Sequence, residues 1–156
     1  IAREHAAEYE IDGTVARFSG LYGPDRYRLQ RYLDGPVTEG YLNMVHRDDA
    51  AGAVADLLAE DLARDSVVLV SDDEPAPKWD FAGWLAEHCG EPAPPKQTKA
   101  ERLDDLELSA AARRRIETSK RCSNDWLRSL GYELTYPTYR EGYRDAIDAY
   151  RAGKSA

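Results

Sequence analysis

The chain has 156 residues, a formal net charge of −8, 42% hydrophobic and 32% charged residues. That length suits one compact globular unit with a real core, and three tryptophans and ten tyrosines argue against global disorder. No run approaches the roughly 20 apolar residues that cross a bilayer, and 29 acidic against 21 basic residues would work against general binding to phosphate backbones.

Residues 1–10 read as the tail of a helix, and Asp12-Gly13 turns the chain into a strand over 14–18. Gly20, Gly23 and Pro24 open a loop, and 26–33 fit a short helix that ends at Gly35-Pro36. A strand is expected over 41–45. Asp48 or Asp49 then caps a helix to about residue 62, with Ala50, Ala53, Val54, Leu57 and Leu58 spaced as one buried face. The β-branched run at 66–70 reads as a buried strand that ends in the capping-rich turn Ser71-Asp72-Asp73-Glu74-Pro75.

Residues 79–89 form an amphipathic pattern stopped by Gly90. The stretch 91–99, with Pro92, Pro94 and Pro95, is the most linker-like. A charged helix over 103–117, another over 123–130 stopped by Gly131, and a last one over 139–150 complete the chain. Strands and helices alternate in the first half, which implies an α/β fold with parallel pairing; the second half is mostly helical.

Self-contained chemistry is scarce. The sequence has no Gly-x-Gly-x-x-Gly, no phosphate-cradling loop and no His-Glu-x-x-His. His5, His46 and His88 are scattered, and no metal site is expected. Cys89 and Cys122 have no ligand spacing and read as free thiols of a reducing cytoplasm. Tyr150 and Lys154 have a Tyr-x-x-x-Lys spacing, but they stand beside Gly153 at the chain end with no phosphate loop before them, so the spacing is read as coincidence. The acidic, lysine-poor composition fits a protein kept soluble in high salt, or else a coding bias towards Ala, Arg, Asp and Gly.

Three collinear stretches resemble the C-terminal half of an extended short-chain dehydrogenase/reductase, the NAD-dependent epimerase/dehydratase family that includes nucleoside-diphosphate-sugar epimerases. They are Arg17-Phe18-Ser19-Gly20-Leu21-Tyr22-Gly23-Pro24, then Asn43-Met44-Val45-His46-Arg47-Asp48-Asp49, then Val68-Leu69-Val70-Ser71-Asp72-Asp73-Glu74-Pro75. The run from Ser119 to Gly142 is similar to the terminal segment of the atypical, sugar-epimerase-like branch.

The resemblance implies the last strands of a Rossmann-like parallel sheet over 1–75 and a small, mostly helical substrate-side subdomain over 76–156. It implies NAD or NADP in the parent protein, with Phe18, Ser19 and Gly20 lining the nicotinamide amide. Tyr22, Pro24, Arg26 and His46 would face the substrate, with Asp49 structural, as a helix cap. The family's glycine-rich loop and its catalytic Tyr-x-x-x-Lys are missing from this sequence, so no catalytic residue is assigned and residues 1–9 would end the helix after that lysine. The expectation is a fragment, inactive alone and without tight cofactor binding, that acts on a small molecule and not on nucleic acid or membrane. Strands deprived of neighbours would favour self-association. The alternative is a non-catalytic binding or regulatory domain on the same scaffold.

Two departures bear on the substrate. Leu42 stands where nucleotide-sugar enzymes place an arginine on the diphosphate, and the stretch from Pro24 to Asn43 is short for a nucleotide cradle. Arg26, Arg28 or Arg31 would have to compensate.

Overall fold

A computed structural model describes residues 13–154; the expected helix tail at 1–10 and His5 lie outside the described residues. The elements in chain order begin with β1 (Val15–Phe18), β2 (Gly20–Tyr22), α1 (Leu29–Leu33), β3 (Val37–Thr38), β4 (Tyr41–Leu42), β5 (Met44–His46) and α2 (Arg47–Ala59). They continue with β6 (Val67–Val70), β7 (Ala76–Pro77), α3 (Lys78–Cys89), β8 (Lys96–Gln97) and α4 (Lys99–Leu103). Last come α5 (Ala110–Glu117), α6 (Asp125–Ser129), α7 (Tyr139–Gly142) and α8 (Arg144–Lys154). The fold is α/β with parallel strand pairs.

The chain divides into two compact units, and it crosses between them five times instead of once near residue 75. Among the described residues, the first unit comprises 13–23, Asn43–Glu74 and Cys122–Gly142; the second comprises Pro24–Leu42, Pro75–Arg121 and 143–154. A crossing at Asn43 explains why the single strand expected over 41–45 is two. Met44–His46 pairs parallel with Gly20–Tyr22 in the first unit, and Tyr41–Leu42 pairs antiparallel with Ala76–Pro77 in the second.

In the first unit, Val15 to Phe18 lie in register with Val67 to Val70. The alternating side chains of β6 put Val68 and Val70 at zero exposure. They pack with Val45, Leu127 and the α2 face Ala50, Ala53 and Leu57, a stripe at helical spacing. Leu58 does not share that face. One residue beyond Leu57 is a rotation of about 100°, and Leu58 is 77% exposed.

The second unit is built on aromatic rings. Phe81 of α3 is fully buried and meets Tyr32 edge-on at 4.9 Å and Tyr143 at 5.2 Å, the tilted geometry that ring quadrupoles favour. The Tyr143 hydroxyl donates to the Tyr27 carbonyl at 3.0 Å. Gly90 closes α3 in the left-handed region, φ 71°, as its sequence position implies.

The stretch expected to be a linker is tied down. Lys96–Gln97 pairs parallel with Val37–Thr38, and the Val37 N–H donates to the Pro95 carbonyl at 2.8 Å. Prolines hold this backbone extended, and Pro95 contributes only an acceptor, so its missing N–H costs nothing there. The charged stretch at 103–117 splits because Thr98 and Glu101 form a capping box on α4 and Ser109 caps α5 separately. No described helix is long and apolar enough to cross a membrane.

Candidate functional site

The first unit brings Phe18, Ser19, Gly20, Tyr22, His46 and Asp49 together, whereas Pro24 and Arg26 belong to the second unit and are exposed. At Ser19-Gly20 the chain changes neighbours. The Ser19 N–H donates to the Val70 carbonyl at 3.0 Å and the Gly20 N–H to the Asn43 carbonyl at 2.8 Å. A Cβ on Gly20 would sit 3.0 Å from the Asn43 carbonyl oxygen, so a glycine permits this approach. Phe18 is 38% exposed. The Ser19 hydroxyl oxygen is buried without a hydrogen-bond partner among the described residues.

His46 corrects the expected helix cap. It is the N-cap of α2, and its Nδ1 accepts the Asp48 N–H at 3.3 Å. A nitrogen that accepts carries no proton, so the neutral ring has its proton on Nε2. Tyr136 lies 3.9 Å from the imidazole at a tilt of 39°, and Tyr22 meets it edge-on at 5.3 Å. Gly23, at φ 144°, passes so close that a Cβ there would lie 3.2 Å from Nε2.

Asp49 is structural but not the cap. It is 1% exposed, and its two carboxylate oxygens accept the N–H groups of Thr135 and Tyr136 at 2.8 and 2.9 Å. The Tyr132 hydroxyl donates to the Asp49 carbonyl at 3.0 Å, and burial, followed by the Asp49 charge, pushes that phenol up to about 12. A carboxylate that turns inward to receive backbone donors is unavailable to the start of its own helix, so the cap falls to His46. These bonds seat Tyr136 on the imidazole.

In the sequence Asp72 stands only as part of a capping-rich turn. It is 1% exposed, and neither carboxyl oxygen has a hydrogen-bond partner among the described residues. Its surroundings are firmly held: its own N–H donates to the Met44 carbonyl at 2.7 Å, and Asn124 donates to the Ser71 carbonyl and to Asp73 at 3.0 and 2.7 Å. Burial raises the Asp72 carboxyl to about 8, and the charges of Glu74, Asp73 and Asp49 act in the same direction. The sequence signal was only an acidic turn after a β-branched strand; the burial is a tertiary fact.

No family model matches the chain. Among curated proteins, a 3-diazoavenalumate denitrifying reductase of Streptomyces sp is 32% identical over 148 residues, which is 87% of this chain and 47% of that protein. A Methylobacillus flagellatus structure assigned as an NAD-dependent epimerase/dehydratase is 28% identical. Its TM-score is 0.67, over 96% of this chain and 51% of that one. The chain is thus similar to NAD-dependent epimerase/dehydratase family members over about half of their length. The human epimerase family protein SDR39U1, solved with NADPH, shares the fold at a TM-score of 0.71 and 16% identity, over 88% of this chain and 49% of its own. The chain therefore spans about half the length of the relatives it matches, in accord with the C-terminal half of the epimerase/dehydratase fold.

Tyr150 and Lys154, whose spacing matches the family's tyrosine-lysine pair, both engage Glu91. The Tyr150 hydroxyl donates to Glu91 at 2.6 Å, and Lys154 pairs with the same carboxylate. That hydrogen bond to Glu91 raises the phenol, whereas a proton-transferring tyrosine needs it lowered. His88 is also occupied, with Nδ1 2.8 Å from the Trp84 carbonyl oxygen. Cys89 and Cys122 are free thiols. Leu42, where nucleotide-sugar members of the family carry an arginine, lines a cavity of about 110 Å³ with Arg31 and Lys78.

Proposed function

We propose that the chain is the substrate-side part of an NAD(P)-dependent epimerase, dehydratase or reductase, and that it is inactive alone. The observation that carries this is the change of strand neighbours at Ser19-Gly20 beside the cap formed by His46, in a chain that matches half the length of its relatives. Ligands of open α/β sheets sit beyond strand ends at such points.

Phe18, Ser19 and Gly20 would hold the nicotinamide end of the cofactor. They fit a carboxamide: the buried Ser19 hydroxyl has a donor and lone pairs to offer, and the bare Gly20 backbone leaves room for approach. When bound, a nicotinamide nucleotide supplies or accepts a hydride. His46 and Asp49 would position the loop that bears Tyr22, with Pro24 and Arg26 further along it towards substrate. The proton-transferring tyrosine and lysine would come from outside this sequence.

The test compares this chain with the product of its full reading frame, both titrated with NADH and NADPH by fluorescence. The expected result is micromolar binding to the full product and no saturation with the chain alone. Micromolar binding or carbonyl turnover by the chain alone would overturn the reading.

A further inference from the structure

Within the second unit, a cavity of about 220 Å³ opens where the β4 and β7 strands meet the start of α3. Lys78 and Lys99 line it as the first residues of α3 and α4, with Trp79, Tyr41 and Ser119. The shape depends on Gly40, which has φ 137°. A Cβ there would fall 2.8 Å from the Ser119 hydroxyl oxygen and 3.4 Å from the Lys78 amine. The glycine thus lets a hydroxyl and an ammonium converge over bare backbone.

These groups are poised to donate. Ser119 Oγ accepts the Tyr41 N–H at 2.9 Å, which leaves its own hydrogen for another acceptor. Neither Lys78 nor Lys99 forms an ion pair among the described residues. Burial, then the charges of Arg31 and Lys99, lowers the Lys78 amine, so its surroundings are cationic and an anion would relieve them. Glu39 and Asp80 share the lining. Arg31 behind Lys78, Lys96 over the Trp79 ring and Arg121 over the Tyr41 ring add positive charge, so the surroundings as a whole favour an anion. Size agrees: a cavity of about 150 Å³ takes up benzene, so this one suits a single substituted ring.

We propose that this cavity binds a small planar aromatic monocarboxylate, with the carboxylate held by Lys78, Lys99 and Ser119 and the ring against Trp79 and Tyr41. The proposal rests on the substrate-side reading above and gives it a substrate class other than a nucleotide-diphosphate sugar.

The chain is titrated with benzoate, with its neutral isostere benzamide and with UDP, followed by tryptophan fluorescence and ligand-observed NMR. Benzoate is expected to saturate, with benzamide at least tenfold weaker and UDP no tighter than benzoate. A charge-assisted contact implies that Lys78→Gln weakens benzoate about tenfold, with benzamide binding and the circular dichroism spectrum unchanged. Lys99→Gln gives the same reading should Lys78→Gln unfold. Equal binding of benzoate and benzamide, UDP binding tighter than benzoate, or benzoate binding unchanged in both variants would each overturn the proposal. No nicotinamide nucleotide is present, so failure here is separate from failure of the NADH titration.

Discussion

The two units handle polar groups in opposite ways. The first buries carboxyls: Asp49 and Asp72 are each 1% exposed. The second buries rings around Phe81 and leaves Lys78 and Lys99 on a cavity wall. Within the first unit the contrast is sharper still. Asp49 receives two backbone N–H groups, while Asp72 receives no hydrogen bond of good geometry, although the Glu74 N–H pulls its affinity for the proton slightly down. Burial alone therefore says little about an acid's role; the donors that the fold delivers decide whether it is a fastener or a proton carrier.

The largest expected effect tests the ring-based unit. Phe81→Ala removes the ring between Tyr32 and Tyr143 and should lower unfolding free energy by about 3–5 kcal/mol, read by urea denaturation; a loss below 1 kcal/mol would mean that Phe81 does not organise this core.

Asp49→Ala comes next. It deprives the part-buried Thr135 and Tyr136 N–H groups of their acceptors, at a cost of about 2–3 kcal/mol. Asp49→Asn preserves size but turns one acceptor into a donor facing an N–H, so it should recover less than half of the loss. Full recovery would assign Asp49 a packing role only.

The effect that is smallest over a single pH unit is read in the pH dependence. The folded-state carboxyl of Asp72 titrates near 8, against an ordinary value of 3.8. Between those values the folded chain holds a proton that the unfolded chain has released. The Asp72 contribution is therefore fully present below about pH 4 and is lost as pH rises towards 8, by up to about 1.4 kcal/mol per pH unit. Asp72→Asn should remove that slope and be more stable than the parent at pH 7. Parallel stability profiles for the two proteins from pH 4 to 8 would place the Asp72 carboxyl in water.

Much of the local structure was legible. The run at 67–70 is β-branched and bounded by polar residues, and it is a strand; Gly90 marks the end of α3. These features depend on propensity and on neighbours a few residues away. The misreadings have a common origin. Residues 91–99 resembled a linker until Val37–Thr38 lay beside them, Leu58 counted as core until the helix faced its partners, and Asp49 looked like a cap until residues 135 and 136 arrived. The linker-like stretch and Asp49 were each decided by a segment more than fifty residues away.

The sequence by itself determined where the principal strands and helices lie, the family resemblance, and the placing of Ser19, Tyr22, His46 and Asp49 in short motifs, because backbone preference and hydrophobic period are written locally. Only the tertiary structure decided that Asp72 is sealed from water, that His46 and not an aspartate caps α2, and that Lys78, Lys99 and Ser119 converge over Gly40. A carboxyl's proton affinity and an amine's want of a counter-ion depend on which distant atoms exclude water from them, and a one-dimensional pattern does not contain that distance.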